Sequence, residues 1–108
     1  MTNYSRGATF ERDVKKDMER HGWLVTRAAG SHGLWDLKAV APGPVVALVQ
    51  CKRDGRLSIE DRRSLRDIAS AFDCTPILVY KDNGIQYCHI WGDDYVEWHP
   101  SIEGEAAA

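Results

Sequence analysis

The sequence of 108 residues has no run approaching the roughly 18 consecutive apolar residues of a membrane span. Its first residues, Met-Thr-Asn-Tyr-Ser-Arg, have none of the apolar character of a signal peptide, so a soluble intracellular protein is expected. Cysteine is scarce. Cys51, Cys74 and Cys88 are odd in number and widely spaced, which excludes a disulfide framework and a Cys-x-x-Cys zinc site, and all three are read as reduced. There is no internal repeat and no linker. The length suits one domain over 1–108, with a core at about 5–92, an acidic end at 93–108 and a frayed tail, and it excludes a two-domain enzyme. A surplus of positive charge is also missing. With 14 Lys/Arg against 16 Asp/Glu the net charge is -2, which at first sight opposes a partner with a phosphate backbone. The deficit is local, because residues 1–80 hold 13 Lys/Arg against 10 Asp/Glu and residues 81–108 hold one against six.

Hydrophobic residues at 44% and charged residues at 28% give the composition of a folded globule. Phe10, Val14 and Met18 recur at spacing four and predict a helix over 7–22, with Gly22 as its C-cap. Strands are expected at Trp23–Ala28 and Leu34–Val40, broken by Gly30-Ser31-His32-Gly33 and followed by the turn Ala41-Pro42-Gly43-Pro44. Val45 to Val49 is apolar at every position, as in a central strand covered on both faces. Ser58 caps a second helix from Ile59 to about Phe72, whose buried stripe is expected to be Leu65, Ile68, Ala69 and Phe72. Pro76–Lys81 and Ile85–Trp91 flank the hairpin turn Asp82-Asn83-Gly84, and Tyr95–Trp98 is a short edge strand. The order is αβββαββ, an α/β fold.

Three polar features do not suit a plain core. Gln50 and Lys52 project from the same side of a central strand, which ends in two polar groups. Asp36 falls inside a strand between Trp35 and Leu37, where an unpaired acid is costly. Glu11 sits at the edge of the first helix's apolar stripe, facing inward and within reach of Asp36 over the sheet. Two carboxylates held together call for a proton or a hard divalent cation, and magnesium fits this oxygen chemistry where zinc does not. Simpler explanations exist one residue at a time: an ion pair of Asp36 with Lys38 or Lys52, a surface pair of Glu11 with Lys15, an exposed strand end at Gln50 and Lys52. The three features together are harder to explain as coincidence.

The pattern Arg6-Gly7-Ala8 with Glu11-Arg12, His21-Gly22-Trp23, Arg27-Ala28-Ala29-Gly30-Ser31, Asp36-Leu37 and Gln50-Cys51-Lys52 resembles the PD-(D/E)xK nuclease superfamily. Within it, the chain is most similar to the archaeal-type Holliday junction resolvases, also seen in phages. The similarity covers about residues 5–80, including Pro76-Ile77-Leu78-Val79. It implies a restriction-endonuclease-like αβββαβ core, a central mixed sheet flanked by helices, here with an additional C-terminal hairpin strand. It also implies that Glu11, Asp36 and the backbone carbonyl of Cys51 bind Mg2+, for which Mn2+ substitutes, with Gln50 at the remaining ligand position and Lys52 as the catalytic lysine. Arg6, Arg12, Arg27, Arg53 and Arg56 would form a DNA-binding face, with Ser31 on a loop near the site. Two positions depart from the pattern: Trp35 replaces the usual proline, and Gln50 stands where most members have Glu. The second removes one negative charge and lowers the expected metal affinity, although the virus-type replication-repair nucleases resemble this chain in having Gln-x-Lys.

The implied function is a structure-selective endonuclease that hydrolyses phosphodiester bonds at four-way junctions as a homodimer. It would act on branched or double-stranded DNA in the cytoplasm of a prokaryotic cell or phage-infected host, with no membrane and no organic cofactor. A free lysine, with a pKa of about 10.4, is a poor base at neutral pH, so Lys52 is read as an electrostatic stabiliser. The alternatives are another nuclease of the superfamily, nicking, flap-directed or restriction-like, and a catalytically inactive DNA-binding module that lost its third carboxylate at Gln50. His89 and His99 with Cys74 and Cys88 match no zinc spacing. His21 and His32 are read as helix-end and loop residues. Tyr87, Trp91, Tyr95 and Trp98 are expected in core or cross-strand pairs, and Phe72, Ile90 and Trp91 are candidates for either core or dimer interface.

Overall fold

In a computed structural model of the chain, the described residues are 3–28 and 33–101, with the side chains of 3–6 outside the description. Helix α1 (Asn3–Arg20) buries Phe10, Val14 and Met18, the stripe that spacing predicts. It stops where the N–H groups of His21 and Trp23 both reach the Met18 carbonyl, at 3.0 and 3.2 Å, and Gly22 takes the positive φ of 96° that this ending needs. Strands β1 (Leu24–Arg27), β2 (Leu37–Ala41) and β3 (Val45–Cys51) come next, then α2 (Ile59–Ala71), β4 (Thr75–Lys81), β5 (Ile85–Trp91) and β6 (Asp94–Glu97). Ser58 caps α2 as expected, its hydroxyl accepting from the N–H of Asp61 at 3.1 Å.

The six strands form one sheet in the order β1-β2-β3-β4-β5-β6. Every pair is antiparallel except β3 with β4, which the crossover through α2 makes parallel. Ala47 and Val49 of β3 join the core under α1 together with Val14, Met18, Leu37, Ala39, Ile77 and Val79. Leu48 points the other way, into a smaller core with Leu65 and Ala69 of α2 and Ile90 of β5. Two covered faces explain the uninterrupted apolar run of β3. No helix among the described residues is long and apolar enough to cross a membrane.

The packed structure continues past residue 92. After β6, which spans Asp94–Glu97 rather than reaching Trp98, the chain turns back and lays Trp98 between Trp23 and Tyr87, with ring centroids 5.7 and 5.9 Å apart. The Trp23 indole N–H donates to the carbonyl of buried Pro100 at 2.6 Å, and the Tyr87 hydroxyl donates to Asp17 at 2.6 Å. Burial and then that carboxylate push the Tyr87 phenol well above its ordinary pKa. The tail expected to fray lies outside the described residues. Phe72 is a correction: α2 ends at Ala71 and Phe72 is its C-cap, with φ -110° and ψ 14°, so the side chain leaves the helical stripe and is 72% exposed. Among the candidates for core or interface, Ile90 is buried and Trp91 is 66% exposed.

Leu37 is fully buried where β2 meets α1. Leu37→Ala is expected to lower unfolding free energy by about 2–5 kcal/mol through lost transfer energy and a residual cavity. Urea unfolding measures this, and a loss under about 1 kcal/mol would contradict so tight a packing.

Candidate active site

Asp36 is not inside a strand as the sequence suggests but one residue ahead of β2, in a bend where its backbone is held on both sides. Its N–H donates to the Val49 carbonyl at 2.8 Å and its carbonyl accepts from the Ala28 N–H at 2.9 Å. The side chain Oδ2 accepts from the N–H of Cys51 at 2.8 Å. This backbone donor, and not the ammonium of Lys38 or Lys52, holds the carboxylate. An acid so tied has little freedom to turn away, and it stays beside the last residue of β3.

Glu11 reaches this point from α1. It lies one position past buried Phe10, at the rim of the helix's apolar face. Its ion-pair partner is Arg27 of β1 at 3.3 Å, while Lys15, the simpler surface partner four residues away, pairs with Glu19 at 2.9 Å. Burial first, and the charge of Asp36 second, raise the Glu11 pKa above the ordinary carboxylate value in spite of Arg27. Two acids placed at such a cost form a place suited to a cation, so the donor chemistry fits a hard divalent ion. The same surroundings, burial before the charges of Asp36 and Glu11, push the Cys51 thiol well up and keep it protonated.

Glu11, Asp36, Gln50, Cys51, Lys52 and Arg53 line a single open cleft of about 680 Å³, completed by Gly7 and Asp54. Every residue proposed from the sequence as a metal ligand or catalytic group is therefore brought together. Gln50 is 5% exposed and is the one buried polar residue among those described. Asp54 was not singled out from sequence, and Gly7 entered only through the Arg6-Gly7-Ala8 pattern. Gly7 gives the cleft an open wall, since a side chain there would meet nothing within 4 Å. Asp54 is committed locally, its carboxylate accepting from the Arg56 N–H at 2.9 Å, and the Asp-Gly pair at 54–55 was its only signal. Among the described residues no group of three His, Cys, Asp or Glu side chains is placed to hold a metal, so the acidic contribution rests on Glu11 and Asp36.

The arginines divide. Arg53 lines the cleft and Arg27 reaches it through Glu11, while Arg12 and Arg56 are exposed. The Arg6 side chain, Ser31 and His32 lie outside the described residues. Arg63 and Arg66 are drawn away to Asp93, at 3.3 and 3.2 Å, and Arg62 lies over the Tyr95 ring at 5.3 Å. Asp93 is held below the ordinary carboxylate value by its hydrogen bond to Arg63. His21 is the helix-end residue expected, its ring nitrogen 2.8 Å from the Asp17 carbonyl.

The chain is also similar to known proteins in sequence and in fold. The chain is 35% identical over 85 residues to the crossover junction endodeoxyribonuclease Hjc of Methanocaldococcus jannaschii, covering 75% of this chain and 62% of that relative's length. Its fold matches that of Archaeoglobus fulgidus Hjc, a Holliday junction resolvase from an archaeal hyperthermophile, with a TM-score of 0.69 at 18% identity, over 94% of this chain and 96% of the other. The family model for archaeal Holliday junction resolvases (Hjc) matches residues 2–95, and with the αβββαβ order, the facing carboxylates and the terminal lysine already in place, the chain belongs to that family.

Proposed function

We propose that this chain is a magnesium-dependent endonuclease that hydrolyses phosphodiester bonds at four-way DNA junctions and acts as a homodimer. The observation that carries the reading is the convergence of Glu11, Asp36, Gln50, Cys51 and Lys52 on one cleft open enough for a DNA backbone. Glu11, Asp36 and the Cys51 carbonyl would hold the ion, and the neutral Gln50 carboxamide lines the same cleft. When bound, magnesium supplies Lewis-acid polarisation of the phosphoryl oxygens and a water of lowered pKa. Asp36, fixed by its bond to the Cys51 N–H, sets where the attacked phosphate sits relative to the sheet. Lys52 places positive charge where negative charge develops on the phosphorane-like oxygens, and so lowers the barrier without having to accept a proton. Arg53 and Arg27 approach the backbone phosphates. The ion pair of Arg27 with Glu11 is largely exposed on the arginine side, worth about 0–1 kcal/mol, so little opposes its exchange for phosphate.

Paired cuts on a four-way substrate need two sites related by a twofold axis, which a dimer of a 108-residue chain supplies. Phe72 at the end of α2 and Trp91 at the end of β5, two of the large exposed apolar groups among the described residues, would form its interface. The second reading, a DNA-binding module without catalysis, draws on the presence of only two carboxylates facing each other at the cleft, since Asp54 is committed to Arg56.

On a panel of four-way junction, duplex, flap and single strand with Mg2+, the wild type is expected to nick the junction symmetrically near the branch point, with Asp36→Ala at least about 100-fold slower. Equal cutting of plain duplex rejects the junction preference, and junction binding without cleavage by either protein favours the binding module. Because the Glu11 pKa is raised in the fold, its ionised form costs stability. That cost is absent below the unfolded value of 4.5 and grows as pH rises through the folded value. Glu11→Gln should therefore melt at a higher temperature than wild type at pH 7 without metal, the difference closing below pH 4.5, and should lose the stabilisation that Mg2+ gives the wild type. A lower melting temperature for the metal-free variant at pH 7 would refute this. In sedimentation equilibrium the wild type is expected as a dimer and Phe72→Glu as a monomer, so an unchanged mass would remove Phe72 from the interface.

A further inference from the structure

Gln50 is one of the two positions where the chain departs from the pattern it resembles, and its surroundings give a reason. Its carboxamide is almost fully buried, and a buried polar group of this kind needs partners. The groups facing it are the backbone carbonyls of Leu34, at 3.0 Å, and Gly33, at 3.3 Å. Carbonyls only accept, so the side chain must turn its nitrogen toward them, and Nε2 has two hydrogens to give. An oxygen in that place would face two other oxygens. A carboxylate would do so with a full negative charge, beside Glu11 and Asp36, whose charges already oppose each other.

The bonded segment matters because it leads directly into Asp36. Leu34 is two residues before that acid, and Trp35 between them packs against the core under α2. Gly33 takes a φ of 79°, which turns its carbonyl without strain because it is glycine. The approach to Asp36 is thus fixed from the β3 side by Gln50 and, beyond it, by the backbone bonds of Asp36 with Val49 and Ala28.

We propose that Gln50 is a positioning residue: through its side-chain N–H groups it clamps Gly33 and Leu34 to the end of β3 and so fixes Asp36 in the cleft. The role of Asp36 itself rests on the nuclease reading, but the clamp does not. In this chain the amide at position 50 is therefore an adaptation of the loop and not a weakened copy of a carboxylate ligand. Restoring Glu should accordingly impair the site.

The test uses the full chain without metal. In the wild type, NMR should show slowly exchanging Gln50 carboxamide protons with cross-peaks to Leu34, a measurement that needs no variant. In Gln50→Met, of similar length without a donor, and in Gln50→Glu, the Asp36 and Ala28 amides are expected to exchange about tenfold faster, as loss of a buried hydrogen bond implies, with the Leu65 amide in α2 unchanged. On a four-way junction both variants should lose about tenfold in kcat, matching that loss of a bond, while binding the junction without metal as the wild type does. The clamp is overturned if the wild-type carboxamide protons exchange as fast as those of an exposed glutamine, or if Asp36 exchange is unchanged in both variants. Tighter Mn2+ binding by Gln50→Glu with unchanged Asp36 exchange would assign the residue to the metal alone. If the wild type cuts no DNA, the nuclease reading fails while the metal-free exchange still decides the clamp.

Discussion

The antiparallel register of β2 on β3, which sets Leu37 opposite Val49, is the constraint from which the cleft is built. It brings Asp36 alongside the end of β3, where the Cys51 N–H finds its acceptor in the Asp36 carboxylate. One bond thereby satisfies a backbone donor and aims an acid at the cleft. Because side chains alternate along a strand, a slip of one residue would turn Leu37 and Val49 out of the α1 core and carry Asp36 away from Cys51 together. Folding energy and site geometry are secured by the same register. The fully buried Leu37, Ala39, Ala47 and Val49 hold it in place.

Charge in the fold is organised more finely than its sum. The net charge of -2 conceals acids with different tasks. Glu11 and Asp36 meet at the cleft at an electrostatic cost, while Asp93 ties the turn between β5 and β6 to Arg63 and Arg66 of α2. Two of the arginines that a count would assign to nucleic acid are thus engaged in holding a hairpin. The cations left near the carboxylates, Lys52, Arg53 and Arg27, are fewer but surround the point where a phosphate would sit. A bound divalent ion would reverse the local sign there, which a count of residues does not include.

Periodicity carried far in this chain because its helices and central strand obey their periods. Phe10, Val14 and Met18 are buried together, Ser58 caps α2, and the apolar run of β3 lies between two helices. Where local pattern met a boundary it failed. Phe72 continues the spacing of α2 by one residue beyond the last helical turn and so turns into solvent. Asp36 reads as part of a strand although the strand begins after it. Trp98 reads as the end of an edge strand, yet it folds back between Trp23 and Tyr87, residues far from it in sequence. Pairings of charge were the least legible, since Glu11 passes over Lys15, four residues away, for Arg27 on another element.

The sequence by itself determined the α/β class, the order of elements and the identities of the chemical groups, because helical and strand periods and cap residues are local and each residue's chemistry travels with it. Only the tertiary structure decided which groups meet. Glu11 on α1, Asp36 ahead of β2 and Lys52 after β3 are far apart along the chain, and the sheet register and the packing of α1 bring them to one cleft. The meaning of Gln50 belongs to the same category. In the sequence it is a carboxylate missing from a motif, and in the fold it is a hydrogen-bond donor facing two carbonyls, since what a buried amide does depends on the neighbours that a distant loop brings to it.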